Sequence, residues 1–278
     1  MRHGRDVLRI TRRHRVGSVV VMNKRVKLVT AVCALLSVLT VLSACSQGES
    51  AGSSSASTAD SAGQAPRLLW MGDSVAAQLA KPLAAAAEAS GLTMKSIAST
   101  GGGNVSGIDK LAESTFGRLT EALGSFEPDV VAYQVATYDW GTEQEQRAAY
   151  KKLLKTVTDA GAQLVFVTMP PIKPDDFYAK HMDELKRTTR LAKEVAAGSH
   201  DKAVVFDSTQ VWGQSFQRRR DGELYRSSDG IHTCPQGAAQ FTVWFMNELA
   251  KRVSGFTPAS PKSWANAGWA GDPAFKDC

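Results

Sequence analysis

Along residues 66–252, short apolar runs alternate with longer amphipathic ones. Residues 67–71, 92–98, 129–135, 163–169 and 203–207 are short and mostly apolar, and they read as five strands. Residues 75–90 form an alanine-rich helical stretch that stops before Gly91, with Pro82 as a candidate kink. Residues 143–160 carry Tyr150, Leu153, Leu154 and Val157 at helical spacing and stop at Gly161. Residues 176–197 predict a charged amphipathic helix. Residues 235–252 predict a last helix with Pro235 in its first turn. Strands alternating with helices imply an α/β domain with a parallel sheet of about five strands, covered on both faces. In such sheets ligands bind beyond the carboxyl ends of the strands. Ser74 stands at that end of the first strand, where the first helix begins.

The N-terminus changes the picture. Lys24, Arg25 and Lys27 precede an uncharged apolar stretch, residues 28–42, shorter than the ~20 residues of a membrane span. It leads into Leu42-Ser43-Ala44-Cys45, which resembles a bacterial lipobox. The expectation is a signal peptide over residues 1–44 and lipidation at Cys45; the plainer alternative is a small-residue cleavage site with an incidental cysteine. Met22 opens a compact leader of its own and is a candidate true start. Residues 45–65 are mostly Ser, Ala and Gly and cannot bury enough surface to offset ordering, so they read as a tether. This organisation places a domain over 66–255 and a tail over 256–278 just outside a membrane.

The leader also accounts for the charge. Residues 1–44 contribute +8 and the whole chain is +6, so the remainder is −2. The basic pI therefore says nothing of nucleic acid, and no basic patch interleaved with aromatics follows residue 44. Of four cysteines, Cys33 leaves with the leader and Cys45 takes lipid. Cys234 and Cys278 remain for an oxidising compartment, and they are expected to pair.

The candidate chemistry lies in two blocks. Gly72-Asp73-Ser74-Val75 follows the first strand, and Asp229-Gly230-Ile231-His232 precedes the last helix. Taken alone, the second block reads rather as a turn before a helix cap. Together they supply a nucleophile, a base and an orienting carboxylate. At these residues the chain resembles the SGNH/GDSL serine hydrolases over roughly 67–252. The resemblance implies a three-layer flavodoxin-like sandwich, with Ser74 as nucleophile, His232 as base and Asp229 as its partner. It also implies an oxyanion hole built from the Ser74 N–H and a glycine N–H after the second strand. Gly101 and Gly102 are the candidates for that glycine.

The third family block departs from the pattern. Relatives carry Gly-x-Asn-Asp after the third strand, with the asparagine donating to the oxyanion. Here the segment is Ala136-Thr137-Tyr138-Asp139, with Tyr138 in the asparagine's place. Tyr138 donating through its hydroxyl, Asn104 supplying the amide, or a weakened site are the open alternatives. Simple packing of Tyr138 and Trp140 at the strand end is the bland one.

No His/Cys cluster has metal-ligand spacing, no phosphate loop is present, and no cofactor is expected. The expected partners are an acyl ester substrate, a cell-envelope glycan as its carrier, and a membrane reached through the N-terminal lipid. A binding lipoprotein with weakened catalysis is the competing reading. The tail, with Trp264 and Trp269, reads as packing against the core rather than as a sugar site. Residues 214–226, which hold Arg218-Arg219-Arg220 and end at Arg226, read as a solvated loop.

Overall fold

The computed structural model describes residues 65–275, 277 and 278. The leader, Cys45 and nearly all of the tether lie outside the described residues. The element order is β1 (Arg67–Met71), α1 (Ser74–Ala89), β2 (Thr93–Ser96), α2 (Asp109–Phe126), β3 (Val130–Gln134), α3 (Glu143–Asp159) and β4 (Gln163–Val167). Then come α4 (Asp176–Ala179), α5 (Met182–Ala197), β5 (Ala203–Phe206), α6 (Thr209–Trp212), β6 (Arg219–Arg220), β7 (Glu223–Leu224) and α7 (Pro235–Ala250). Strands β1 to β5 form one parallel sheet in the order β2-β1-β3-β4-β5, and β6 and β7 pair as a small antiparallel ribbon.

Alternation along each strand builds the three layers, because successive side chains point to opposite faces. Leu68 and Trp70 of β1 join Val130, Ala132, Val165 and Val167 beneath α1 and α7. Leu69 and Met71 join Val131, Tyr133, Leu164 and Phe166 beneath α2, α3 and α5. Trp70 anchors the first layer: it is fully buried, meets Phe245 edge-on at 5.2 Å between centroids, and donates from Nε1 to the Ala76 carbonyl at 2.8 Å. The sheet order is the flavodoxin-like one, and β1 lies between β2 and β3. Helices α1 and α3 leave β1 and β3 on opposite faces, which opens a crevice there.

Four local readings change. Pro82 lies inside α1 without splitting it, since Ser74–Ala89 is one helix. The expected second strand contracts to Thr93–Ser96. The helix expected over 176–197 divides into α4 and α5, because Asp175 caps a short helix and His181 turns aside to stack on Trp140 at 3.6 Å. Helix α2 was not announced by the pattern; its buried Phe116, Leu119, Leu123 and Phe126 are diluted by Gly117, Gly124 and polar residues.

The tail closes the first layer. Phe256, Trp264 and Phe275 are buried against it, so Trp264 is core rather than a sugar platform. Cys234 and Cys278 form the expected disulfide, with Cα atoms 5.6 Å apart. Among the described residues no helix is long and apolar enough to cross a membrane.

Candidate active site

The turn between β1 and α1 is held by backbone contact and by one buried carboxylate. Gly72 and Gly103 both adopt positive φ, and a Cβ on Gly103 would stand 1.9 Å from the Gly72 carbonyl oxygen. Only glycine lets the 99–104 loop lie directly on this turn. Asp73 is fully buried. Its Oδ1 caps α1 by accepting from the Val75 N–H at 3.0 Å and the Ala76 N–H at 3.4 Å. Its Oδ2 accepts from the Thr137 N–H at 2.6 Å and the Thr137 hydroxyl at 2.7 Å. Burial raises its pKa above the usual carboxylate range, and the bonds from Thr137 only partly offset that. With Val75 and Ala76 capped, the N–H of Ser74 remains one of the helix's unmatched first-turn donors.

Ser74, His232 and Asp229 come together. His232 Nε2 lies 2.9 Å from Ser74 Oγ, and His232 Nδ1 lies 2.6 Å from Asp229 Oδ2. Asp229 Oδ1 accepts from the backbone N–H of Ile231 at 2.8 Å and of His232 at 2.9 Å, so the carboxylate grips the turn that carries its own partner. Burial pushes the Asp229 pKa up. The two N–H bonds and the imidazole outweigh burial and hold it below the usual range. The chain of bonds runs carboxylate to imidazole to hydroxyl, the order needed to take a proton from the serine during attack.

The site opens into a cleft of about 710 Å³ lined by Ser74, Gln78, Gly101, Tyr138, His232 and Ala274, among others. Gly101 faces it, whereas Gly102 is buried. Asn104 is turned inward: its Nδ2 donates to the Ser106 carbonyl at 2.7 Å, and the residue is fully buried. The expectation that Asn104 supplies the missing amide is therefore corrected. Tyr138 lines the cleft, with its ring against Trp140 (5.4 Å), Tyr178 (6.1 Å) and Phe177 (6.2 Å). Asp139 points the other way. It is buried, and it accepts from the Val105 and Ser106 N–H groups and from the hydroxyls of Tyr133 and Tyr150.

Three contributors were invisible in the sequence. Arg226 is buried beneath the Asp229–His232 turn and donates to the carbonyls of Pro171, Ile231 and His232 at 2.6, 2.7 and 3.2 Å. Desolvation lowers its pKa to about 10. Gln78, one turn after Ser74, bonds Thr233 and Ala274. Pro273 and Ala274 of the tail form part of the cleft wall. Arg219 and Arg220 belong to the β6–β7 ribbon, and Arg220 donates to the Val211 carbonyl. Among the described residues no His/Cys/Asp/Glu group could hold a metal ion.

A three-layer α/β sandwich with Ser, His and Asp in hydrogen-bond sequence at its switch point defines a class of serine-dependent folds. The family model for the SGNH domain, described as fused to AT3 domains, matches residues 44–219, and the chain belongs to that family. The match ends before Asp229, so the geometry brings the second block into the site independently of it. No curated protein sequence matches the chain. A protein from Slackia heliotrinireducens described as an SGNH hydrolase superposes with a TM-score of 0.52 at 21% identity, covering 67% of this chain and 100% of that one. A GDSL-like lipase from Bacteroides thetaiotaomicron superposes with a TM-score of 0.50 at 13% identity, covering 67% of this chain and 89% of that one. At these identities the likeness is one of fold.

Proposed function

We propose that this chain is a serine esterase or acyl-transferring enzyme acting on small acyl esters. The observation that carries the reading is the Asp229–His232–Ser74 hydrogen-bond chain, at 2.6 and 2.9 Å, at the mouth of a solvent-facing cleft. Ser74 Oγ attacks the ester carbonyl while His232 Nε2 takes the hydroxyl proton. Asp229 holds the imidazole tautomer and stabilises the imidazolium. The carbonyl oxygen, now an anion, meets the N–H groups of Ser74 and Gly101. Collapse breaks the bond to the alcohol, which leaves with the proton from His232. An acyl-Ser74 remains, and water or a second hydroxyl, deprotonated by His232, releases it.

Lipidation at Cys45, a tether to residue 65 and an extracytoplasmic station at the membrane belong to the same proposal. The lipobox and the disulfide support them. That station suggests an acylated cell-envelope glycan as substrate. A binding lipoprotein with weakened catalysis is the second reading, favoured by Tyr138 in the place of the family's asparagine. Labelling by a fluorophosphonate probe and turnover of p-nitrophenyl acetate test the proposal. Both are expected in the wild type and lost in Ser74→Ala. Equal turnover by Ser74→Ala would end the mechanism, and an unlabelled wild type, or a labelled one with little turnover, would leave the second reading.

A further inference from the structure

Gln78 is 5% exposed and sits four residues after Ser74, so the two side chains rise from the same face of α1 one turn apart. Its Oε1 accepts from the Thr233 N–H at 2.9 Å and the Thr233 hydroxyl at 3.1 Å. Its Nε2 donates to the Ala274 carbonyl at 2.5 Å. Chemistry fixes the orientation of this amide. A backbone N–H only donates, so Oε1 must face Thr233; a carbonyl only accepts, so Nε2 must face Ala274. Thr233 follows His232 directly and is fully buried, and Ala274 belongs to the cleft wall. One side chain on the nucleophile's own helix thus binds both the base's loop and the tail.

We propose that Gln78 is a positioning residue for the Ser74 reaction, fixing the His232 backbone and the Pro273–Ala274 wall to the helix that carries the nucleophile. The proposal rests on the serine mechanism above. Ser74 and His232 are 158 residues apart in sequence, and nothing local keeps Nε2 at 2.9 Å from Oγ. Asp229 orients the ring relative to its own turn, and Arg226 holds that turn from beneath. Gln78 supplies the remaining reference, from the turn to α1. No other uncharged side chain of this length both accepts two bonds and donates one. A misplacement of about 1 Å at a reacting pair costs about 10²-fold in rate.

The test compares Gln78→Met, which keeps length and loses both functions, with Gln78→Glu, which keeps the acceptor toward Thr233. Thermal melting shows that each variant is folded. Gln78→Met is expected to lower kcat for p-nitrophenyl acetate about 10²-fold. Gln78→Glu is expected to restore most of kcat with a raised KM, because the wall loses its donor. The proton NMR resonance of His232 Nδ1 is read alongside, in wild type and Gln78→Met, and it reports ring placement without turnover. It is expected to shift or broaden in Gln78→Met. A folded Gln78→Met with wild-type kcat and an unchanged His232 resonance would overturn the proposal. So would a Gln78→Glu variant as slow as Gln78→Met. If the wild type shows no turnover, the serine mechanism fails and the resonance alone decides: a shift in Gln78→Met supports the anchoring, and no shift refutes it.

Discussion

Breaking the Cys234–Cys278 bridge isolates a stabilising effect that native contacts do not reveal. The bridge spans a sequence separation of 44 and ties the last residue to the turn that follows His232. In the chain-entropy account, closing such a loop in the unfolded ensemble contributes about 4 kcal/mol. The folded tail keeps its own anchors when the bridge is cut: Phe275 is fully buried, Trp264 nearly so, and Asp272 pairs with Lys81 at 2.9 Å. The loss should therefore come from the unfolded side, with the native fold retained. Urea denaturation of Cys278→Ser against wild type is the assay. The expected loss is about 4 kcal/mol, with a higher m-value because the freed unfolded chain exposes more surface. For a domain of this size that corresponds to a Tm lower by about 8–16 °C. A loss below about 1 kcal/mol would refute the chain-entropy reasoning. Two alkylatable thiols at 234 and 278 in unfolded, unreduced protein would refute the bridge.

Two further outcomes follow from buried groups near the site. Burial raises the Asp139 pKa to about 6, against 3.8 in an unfolded chain, even though four donors meet it. Between those values the folded state binds more protons than the unfolded one, so this group's contribution falls as pH rises from about 4 to about 6, by about 3 kcal/mol over the full shift. The urea midpoint of Asp139→Asn should lack that decline, and an identical pH slope in variant and wild type would contradict it. Tyr138→Phe keeps the ring against Trp140 and Tyr178 and removes only the hydroxyl. Turnover of p-nitrophenyl acetate should fall less than about tenfold, whereas a fall of about 10²–10³ would make the hydroxyl an oxyanion donor.

Sequence legibility tracks the sequence distance between partners. The place of Ser74 is readable because a residue at a strand end needs only the apolar run before it and the helix after it. Asp229 and His232 were readable because the carboxylate reaches back over three residues within one turn. The disulfide was readable by elimination. Gln78 looked like one polar residue of an alanine-rich helix, since its partner Thr233 lies 155 residues on. Arg226 looked like part of a solvated basic loop. Only the folded chain shows three carbonyls, one of them 55 residues back, converging on its guanidinium. Asn104 failed for a different reason. Nothing in a sequence says whether an amide turns toward a cleft or into its own loop.

The replacement at the third block also follows from that geometry. Asp73 holds both the N–H and the hydroxyl of Thr137, so the end of β3 is pinned to the turn after β1 whatever residue comes next. Residue 138 is thereby delivered to the cleft, and the aromatic cluster of Trp140, Phe177 and Tyr178 is ready to receive a ring there. Where the family resemblance implies an amide dipole, the cleft of this chain meets a tyrosine ring backed by an aromatic cluster. That difference bears on how well an oxyanion is stabilised, and not on whether Ser74 can be deprotonated, because the Asp229–His232–Ser74 bonds do not pass through residue 138. Covalent labelling and turnover then report different parts of the site. A reactive phosphonate tests the serine, histidine and aspartate. Hydrolysis of an ordinary ester tests them together with the backbone donors that the proposed mechanism assigns to Ser74 and Gly101. Strong labelling beside slow turnover is what an intact triad with a reduced oxyanion hole produces, and weak labelling beside fast turnover would contradict both parts of that argument.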